Sequence, residues 1–143
     1  MLLPEHIHLE IVTPDKQLFS GDVVAITVPA ITGYLGIMPG HAPLLAELGI
    51  GEISYKIGDN TQFLFCSWGF VEVLPERVII LAQTAESSSE IDINRAEQAK
   101  SRAERILSSR DPNLDYTRAQ LSLMRAITRL NAARKYQPKI SKS

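Results

Sequence analysis

Five arginines carry the chemistry this sequence is best equipped to perform. Arg95 and Arg102 lie seven residues apart in INRAEQAKSR, and Arg118, Arg125 and Arg129 follow at spacings of seven and four. Both spacings return side chains to one face of an α-helix, so each segment carries a ridge of guanidinium groups. A guanidinium fork grips phosphate bidentately, and two facing ridges would make a nucleotide site that needs no glycine loop. The competing reading is that these residues solvate the outer faces of two amphipathic helices. Asp92 has the same two readings, because an acid at that place also complements the dipole of a helix beginning there.

The other candidate chemistries are weaker. GYLGIMPGHAPLLAELGIGEI, residues 33–53, holds five glycines and two prolines. No Gly-Lys-Ser/Thr follows to make a Walker loop, and Gly49-Ile50-Gly51 has the wrong context for a dinucleotide fingerprint. Pro39-Gly40 suits the centre of a type II turn, and Pro43 keeps His41-Ala42 extended. The stretch therefore reads either as a tight connection between strands or, because Tyr34, Leu35, Ile37 and Met38 are too apolar for an idle loop, as a docking segment. Cys66 paired with His41 would be a thiolate system, yet FLFCSWGF reads as a buried strand with an inert thiol. His6 and His8 supply at most half of a metal site. No carboxylate pair has the setting of an acid/base couple, so no catalytic residue is assigned.

Positioning these residues requires two kinds of structure. HIHLEIV, DVVAITV, ISYKI, TQFLFCSW, FVEVL and RVIILAQ are short runs rich in Val, Ile, Phe and Thr, separated by Ser20-Gly21, Gly58-Asp59-Asn60 and Pro75-Glu76. No helical pattern intervenes to cross between parallel strands, which favours an antiparallel sandwich. After AESSSE the period changes. Ala96, Ala99, Ala103, Ile106 and Leu107 form one helical stripe, and Ala119, Leu123, Ala126, Ile127, Leu130 and Ala133 form a second. Pro112 breaks the pattern between them and Asp115 can cap the second helix. The expected architecture is an N-terminal antiparallel β-sandwich, residues 1–86, followed by an antiparallel two-helix hairpin, residues 87–143, whose end QPKISKS is patternless and expected to fray. The thin alanine stripes bury little apolar area, so the hairpin should be held weakly.

Charge divides at the same boundary. The chain has 143 residues and a net charge of −1. Residues 1–86 hold three Lys or Arg against ten Asp or Glu, and residues 87–143 hold twelve against six, giving −7 and +6. From Tyr116 onward there are seven basic residues and no acid, which invites an acidic partner. Stacking aromatics are too few there for nucleic acid, so an acidic protein surface fits better. No apolar run is long enough to insert in a membrane, MLLPEHIH lacks the parts of a signal peptide, and one cysteine excludes an internal disulfide.

VTPDKQLFSGDV, GYLGIMPGHAPLLAEL and IDINRAEQAKSRAERIL, in the order sandwich, linker, hairpin, together resemble the ε subunit of bacterial F-type ATP synthase over essentially the whole chain. The resemblance implies a non-catalytic central-stalk subunit that couples rotation between the c-ring and the catalytic head. Its sandwich would bind the γ subunit and rest on the c-ring loops, with Tyr34, Leu35, Ile37, Met38 and His41 in the docking region. The family often carries a polar or acidic residue where this chain has Tyr34. The family's hairpin moves between a folded form and one extended toward the head, where it impedes ATP hydrolysis; Arg118 and Arg134 would then meet the β subunit, with α as a secondary partner. Some bacterial members bind ATP in the folded hairpin. The matching positions here are Glu86, Ile91, Asp92, Arg95, Ala96, Arg102, Arg125 and Arg129, with ATP a regulatory ligand rather than a required cofactor. The implied location is peripheral, on the cytoplasmic face of the plasma membrane, or on the thylakoid membrane. A stand-alone nucleotide sensor is the alternative that the arginine ridges alone would also satisfy.

Overall fold

A computed structural model of the chain describes residues 4–136, so the tail QPKISKS lies outside the described residues. Seven strands, β1 (Ile7–Val12), β2 (Gln17–Val23), β3 (Ala25–Ala30), β4 (Gly33–Ile37), β5 (Leu44–Ile57), β6 (Asn60–Val73) and β7 (Arg77–Ser87), precede a short 3-10 turn, Ser88–Glu90. Two helices follow, α1 (Ile93–Ser108) and α2 (Tyr116–Arg134). The strands join in the order β2-β1-β7-β6-β5-β3-β4. Every pairing is antiparallel except β1 with β7. That exception needs no crossover helix, since the rest of the sheet is the connection.

The sheet folds back on itself. Phe19 of β2 and Tyr55 of β5 stand four strands apart in the order, yet their ring centroids are 4.2 Å apart. Between the two halves lies a core of Ile, Val and Leu from every strand, including Leu9, Ile11, Val28, Ile53, Val71 and Ile80, all at 0% exposure. β1 shows why: its burial alternates residue by residue, the period of a strand with one face inward.

The glycine-rich stretch is mostly strand. Gly33–Ile37 forms the edge strand β4, and β5 begins at Leu44. Between them Met38 O accepts from His41 N–H at 3.1 Å with Gly40 at φ 85°, the type II turn expected of Pro39-Gly40. Ile37 is 1% exposed and Leu35 packs on the core, which corrects their assignment as docking residues: alternate β4 side chains face inward. Tyr34 and Met38 are each 63% exposed and remain available, beside a partly exposed His41.

β6 is kinked where Trp68 at φ 61° is followed by Gly69 at φ 145°. A Cβ on Gly69 would run into the Leu81 carbonyl and lie 2.8 Å from Ala82 Cα, in a backbone conformation L-residues rarely adopt. Gly69→Ala is therefore expected to lower unfolding stability by about 2–3 kcal/mol in urea denaturation, without moving the hairpin.

Both helices begin on the aspartates that their sequences offer. Asp92 accepts from Arg95 N–H and Asp115 from Arg118 N–H, each at 3.0 Å. The Tyr116 hydroxyl lies 2.7 Å from Asp111 O and 2.8 Å from Ser109 O, a shared donor that closes the turn between the helices. The hairpin seam is thin, as expected, with Ala96, Ala103, Ala119 and Ala126 buried. Two details of the second stripe differ. Ile127 is 40% exposed, whereas Ala132 is fully buried, because the last turns of α2 also pack on the sheet. No described helix is long and apolar enough to cross a membrane.

Candidate functional site

The seat of α2 is a cross-strand row on the outer face of the sheet. Phe65 of β6 stands opposite Glu52 of β5 on one side and Glu86 of β7 on the other. Leu64 and Cys66 point into the core, while Phe65 packs with Ile91, Ile50 and Ala132, so Leu64, Phe65, Cys66 and Ser67 are all buried in succession. The alternation expected of FLFCSWGF is lost there because the hairpin covers the second face. Arg129 lies over the Phe65 ring at 4.2 Å and donates to both Glu86 carboxylate oxygens at 3.1 Å. This bidentate, partly sheltered pair fixes the side chain. At the end of α2, Lys135 Nζ meets Glu52 Oε2 at 2.6 Å and lies 5.0 Å from the centre of the Phe63 ring.

A cleft of about 670 Å³ opens where the hairpin meets the sandwich. α1 contributes Arg95, Ala96, Ala99 and Arg102 to its walls, with Asp92 at the helix cap. α2 contributes Ser122, Arg125 and Arg129, and β7 contributes Glu86 with the residues just before it. The two arginine ridges converge on this cleft, with Arg95 and Arg102 exposed at its α1 side and Arg125 and Arg129 partly buried at its α2 side. Among the described residues Arg129 is the one of the four that pairs with a carboxylate. Arg125 reaches Ser122 Oγ at 3.4 Å. Seven of the eight positions matched for the nucleotide thus line one cleft. Ile91 does not: it is 8% exposed and packed against Phe65 and Ala132, behind the wall.

The third wall escaped the sequence reading. Thr13, Asp15 and Lys16, in the turn between β1 and β2, line the cleft, and Lys16 Nζ lies 3.7 Å from Glu90. VTPDK carries a turn signal, but nothing local places that turn beside a helix eighty residues later. Arg118 and Arg134 stand exposed on α2, outside the cleft.

Burial decides against the thiolate system. Cys66 is fully buried, and burial pushes its thiol up to about 12, so no thiolate forms near neutral pH. Burial also raises the Tyr55 phenol. His8 is held by Asp22 at 3.1 Å and Ser20 at 3.4 Å, and no group of three or more potential metal ligands occurs among the described residues. What remains is a cleft of small-molecule size, rich in guanidinium, with an alanine wall beside it.

Comparison with known proteins agrees with both halves of the chain. Residues 6–88 match the family model of the ATP synthase delta/epsilon chain β-sandwich domain, and residues 89–134 match that of its long α-helix domain. The ATP synthase epsilon chain of Halalkalibacterium halodurans is 45% identical over 128 residues, covering 89% of this chain and 96% of that one. Its counterpart from Bacillus licheniformis is 47% identical over 126 residues, covering 88% and 96%. Among solved structures, a chain of the Euglena gracilis mitochondrial ATP synthase superposes with a TM-score of 0.79 at 24% identity, covering 93% of this chain and 84% of that one.

Proposed function

The chain belongs to the delta/epsilon family of ATP synthase subunits as an epsilon chain, and from that premise we propose that it is an ATP-sensed brake on its own motor. It is a non-catalytic subunit of the membrane-associated complex. In the proposal the sandwich holds the central stalk, binding γ and resting on the c-ring loops through the edge that presents Tyr34, Met38 and His41. The complex keeps the subunit peripheral, on the cytoplasmic face. The hairpin lies folded on the sandwich or extends along γ to the catalytic head, where Arg118 and Arg134 face the acidic surface of a β subunit, and of α where the two adjoin, and slow ATP hydrolysis.

The observation that carries this reading is the convergence of Arg95 and Arg102 with Arg125 and Arg129 in one cleft. Four cations from two helices fit a triphosphate, and Ala96 and Ala99 leave a small apolar wall for a base beside it. Extension of the hairpin separates the ridges, so ATP binds the folded form alone and shifts the balance toward it. Low ATP then frees the brake when hydrolysis would be most costly.

The test is ATP titration of the isolated protein with a donor and acceptor dye on the sandwich and on α2. Saturable binding with rising transfer efficiency is expected. Binding without any change in compactness would remove the switch, and no binding at millimolar ATP would remove the site.

A further inference from the structure

The Glu52–Phe65–Glu86 row holds α2 by two separate grips, and they differ in their relation to the cleft. Arg129 with Glu86 belongs to the cleft wall, whereas Lys135, Glu52 and Phe63 lie outside it. Resting on the function proposed above, we propose that Lys135 and Glu52 are a positioning pair for the nucleotide site. They keep the end of α2 seated whether or not Arg129 is engaged by phosphate.

Phosphate that recruits Arg129 competes with Glu86 for the same donors. A hairpin held by that pair alone would loosen at the moment its ligand arrived. The second grip avoids this. Lys135 is the C-cap of α2, where a cation also complements the helix dipole. Its partner is prepared: the Glu52 side chain is 13% exposed, and the Tyr34 hydroxyl accepts from Glu52 N–H at 3.1 Å. Gly51 makes room for that hydroxyl, since a Cβ there would lie 2.7 Å from it. Phe63, two residues from Phe65 along β6, gives the ammonium group a ring to lie on. The two cations, six residues apart on α2, therefore reach opposite flanks of Phe65 and fix the helix in rotation as well as in distance.

The consequence is a linkage. Weakening the outer grip lowers the fraction of folded hairpin, and apparent ATP affinity falls by the same factor although no ligand contact has changed.

The experiment uses the full chain with Asp59→Cys in the β5–β6 turn and Thr117→Cys in α2, labelled for distance measurement. Cys66 is left in place because its side chain is buried in the core and labelling is done on the folded protein. The folded-to-released ratio is read along a urea series that carries the parent through its release midpoint, first without nucleotide and then with ATP. Without nucleotide, Lys135→Ala should lower the ratio about three- to tenfold at a given urea concentration. Lys135→Glu should lower it further, Lys135→Arg should hold it near the parent value, and Glu52→Lys with Lys135→Glu should recover it above either single reversal. With ATP, apparent affinity in Lys135→Ala should fall by the factor lost from the ratio, measured where the released form predominates. A nucleotide-free ratio within twofold of the parent in Lys135→Ala, or a swap no better than Lys135→Glu alone, overturns the grip. Failure of the parent to bind ATP overturns the nucleotide reading instead, and the nucleotide-free arm still decides the grip.

Discussion

Replacing Arg95 and Arg125 together by alanine should cut ATP affinity about a thousandfold, since each removes a charge-assisted grip on phosphate. These two are chosen because one comes from each helix and neither holds the hairpin down. Arg129 would be a poorer choice: it also pairs with Glu86 and covers Phe65, so its loss would mix ligand binding with docking. Arg95 is exposed, and the Asp92 cap binds its backbone N–H, which the substitution keeps. Arg125 is partly exposed and makes a single long contact to Ser122. The nucleotide-free fold should therefore survive, as checked by circular dichroism and by the hairpin distance. Arg110→Ala removes the same charge from the exposed turn between the helices, outside the cleft, and should leave affinity within about twofold, because a screened surface charge contributes little. Equal calorimetric ATP affinity in the double variant and the parent would rule the cleft out as the nucleotide site.

Deleting residues 88–143 should leave the assembled complex intact and raise its ATP hydrolysis by about fivefold or more, the lower end of a typical coupling between sites. The core argues that the remainder folds. Every buried residue of the main cluster, from Ile7 to Ala85, belongs to the strands, and none comes from the hairpin. Phe65 does lose its cover, and with it Ile91 and Ala132, so the fragment gains one exposed aromatic on its outer face. That costs about 2 kcal/mol of burial, too little to unfold a sandwich with this core. Assembly is checked by copurification of the truncated chain with the complex, and hydrolysis by phosphate release. Unchanged hydrolysis in an assembled complex would exclude the brake, and an unfolded fragment would exclude docking by an autonomous sandwich. Arg118→Ala with Arg134→Ala should move hydrolysis in the same direction by less, because both side chains are exposed on α2 and the pair is only part of the surface that the deletion removes.

The sequence by itself settled everything that depends on a local period or a single backbone preference. Alternation of Val and Ile made the strands, the change of period after AESSSE made the helices, Asp115 was available as a cap, and Pro39-Gly40 demanded its turn. The arginine spacings also fixed two ridges, because seven and four residues are whole numbers of turns to within a side chain's reach. Tertiary structure decided which surfaces meet. Periodicity shows that a face is apolar without saying what covers it, so Phe65, on the outward parity of β6, became fully buried under the hairpin. Ile37 went into the core and Ile91 behind the cleft wall, although both looked available by type. Ala132 replaced Ile127 in the interface because α2 turns its last residues to the sheet and its earlier ones to α1. The wall built by Thr13, Asp15 and Lys16, and the grip of Lys135 on Glu52 across eighty-three positions, have no local signature at all. Both arise from long-range docking, whose geometry is set by the twist and closure of the whole sheet rather than by any segment that takes part in it.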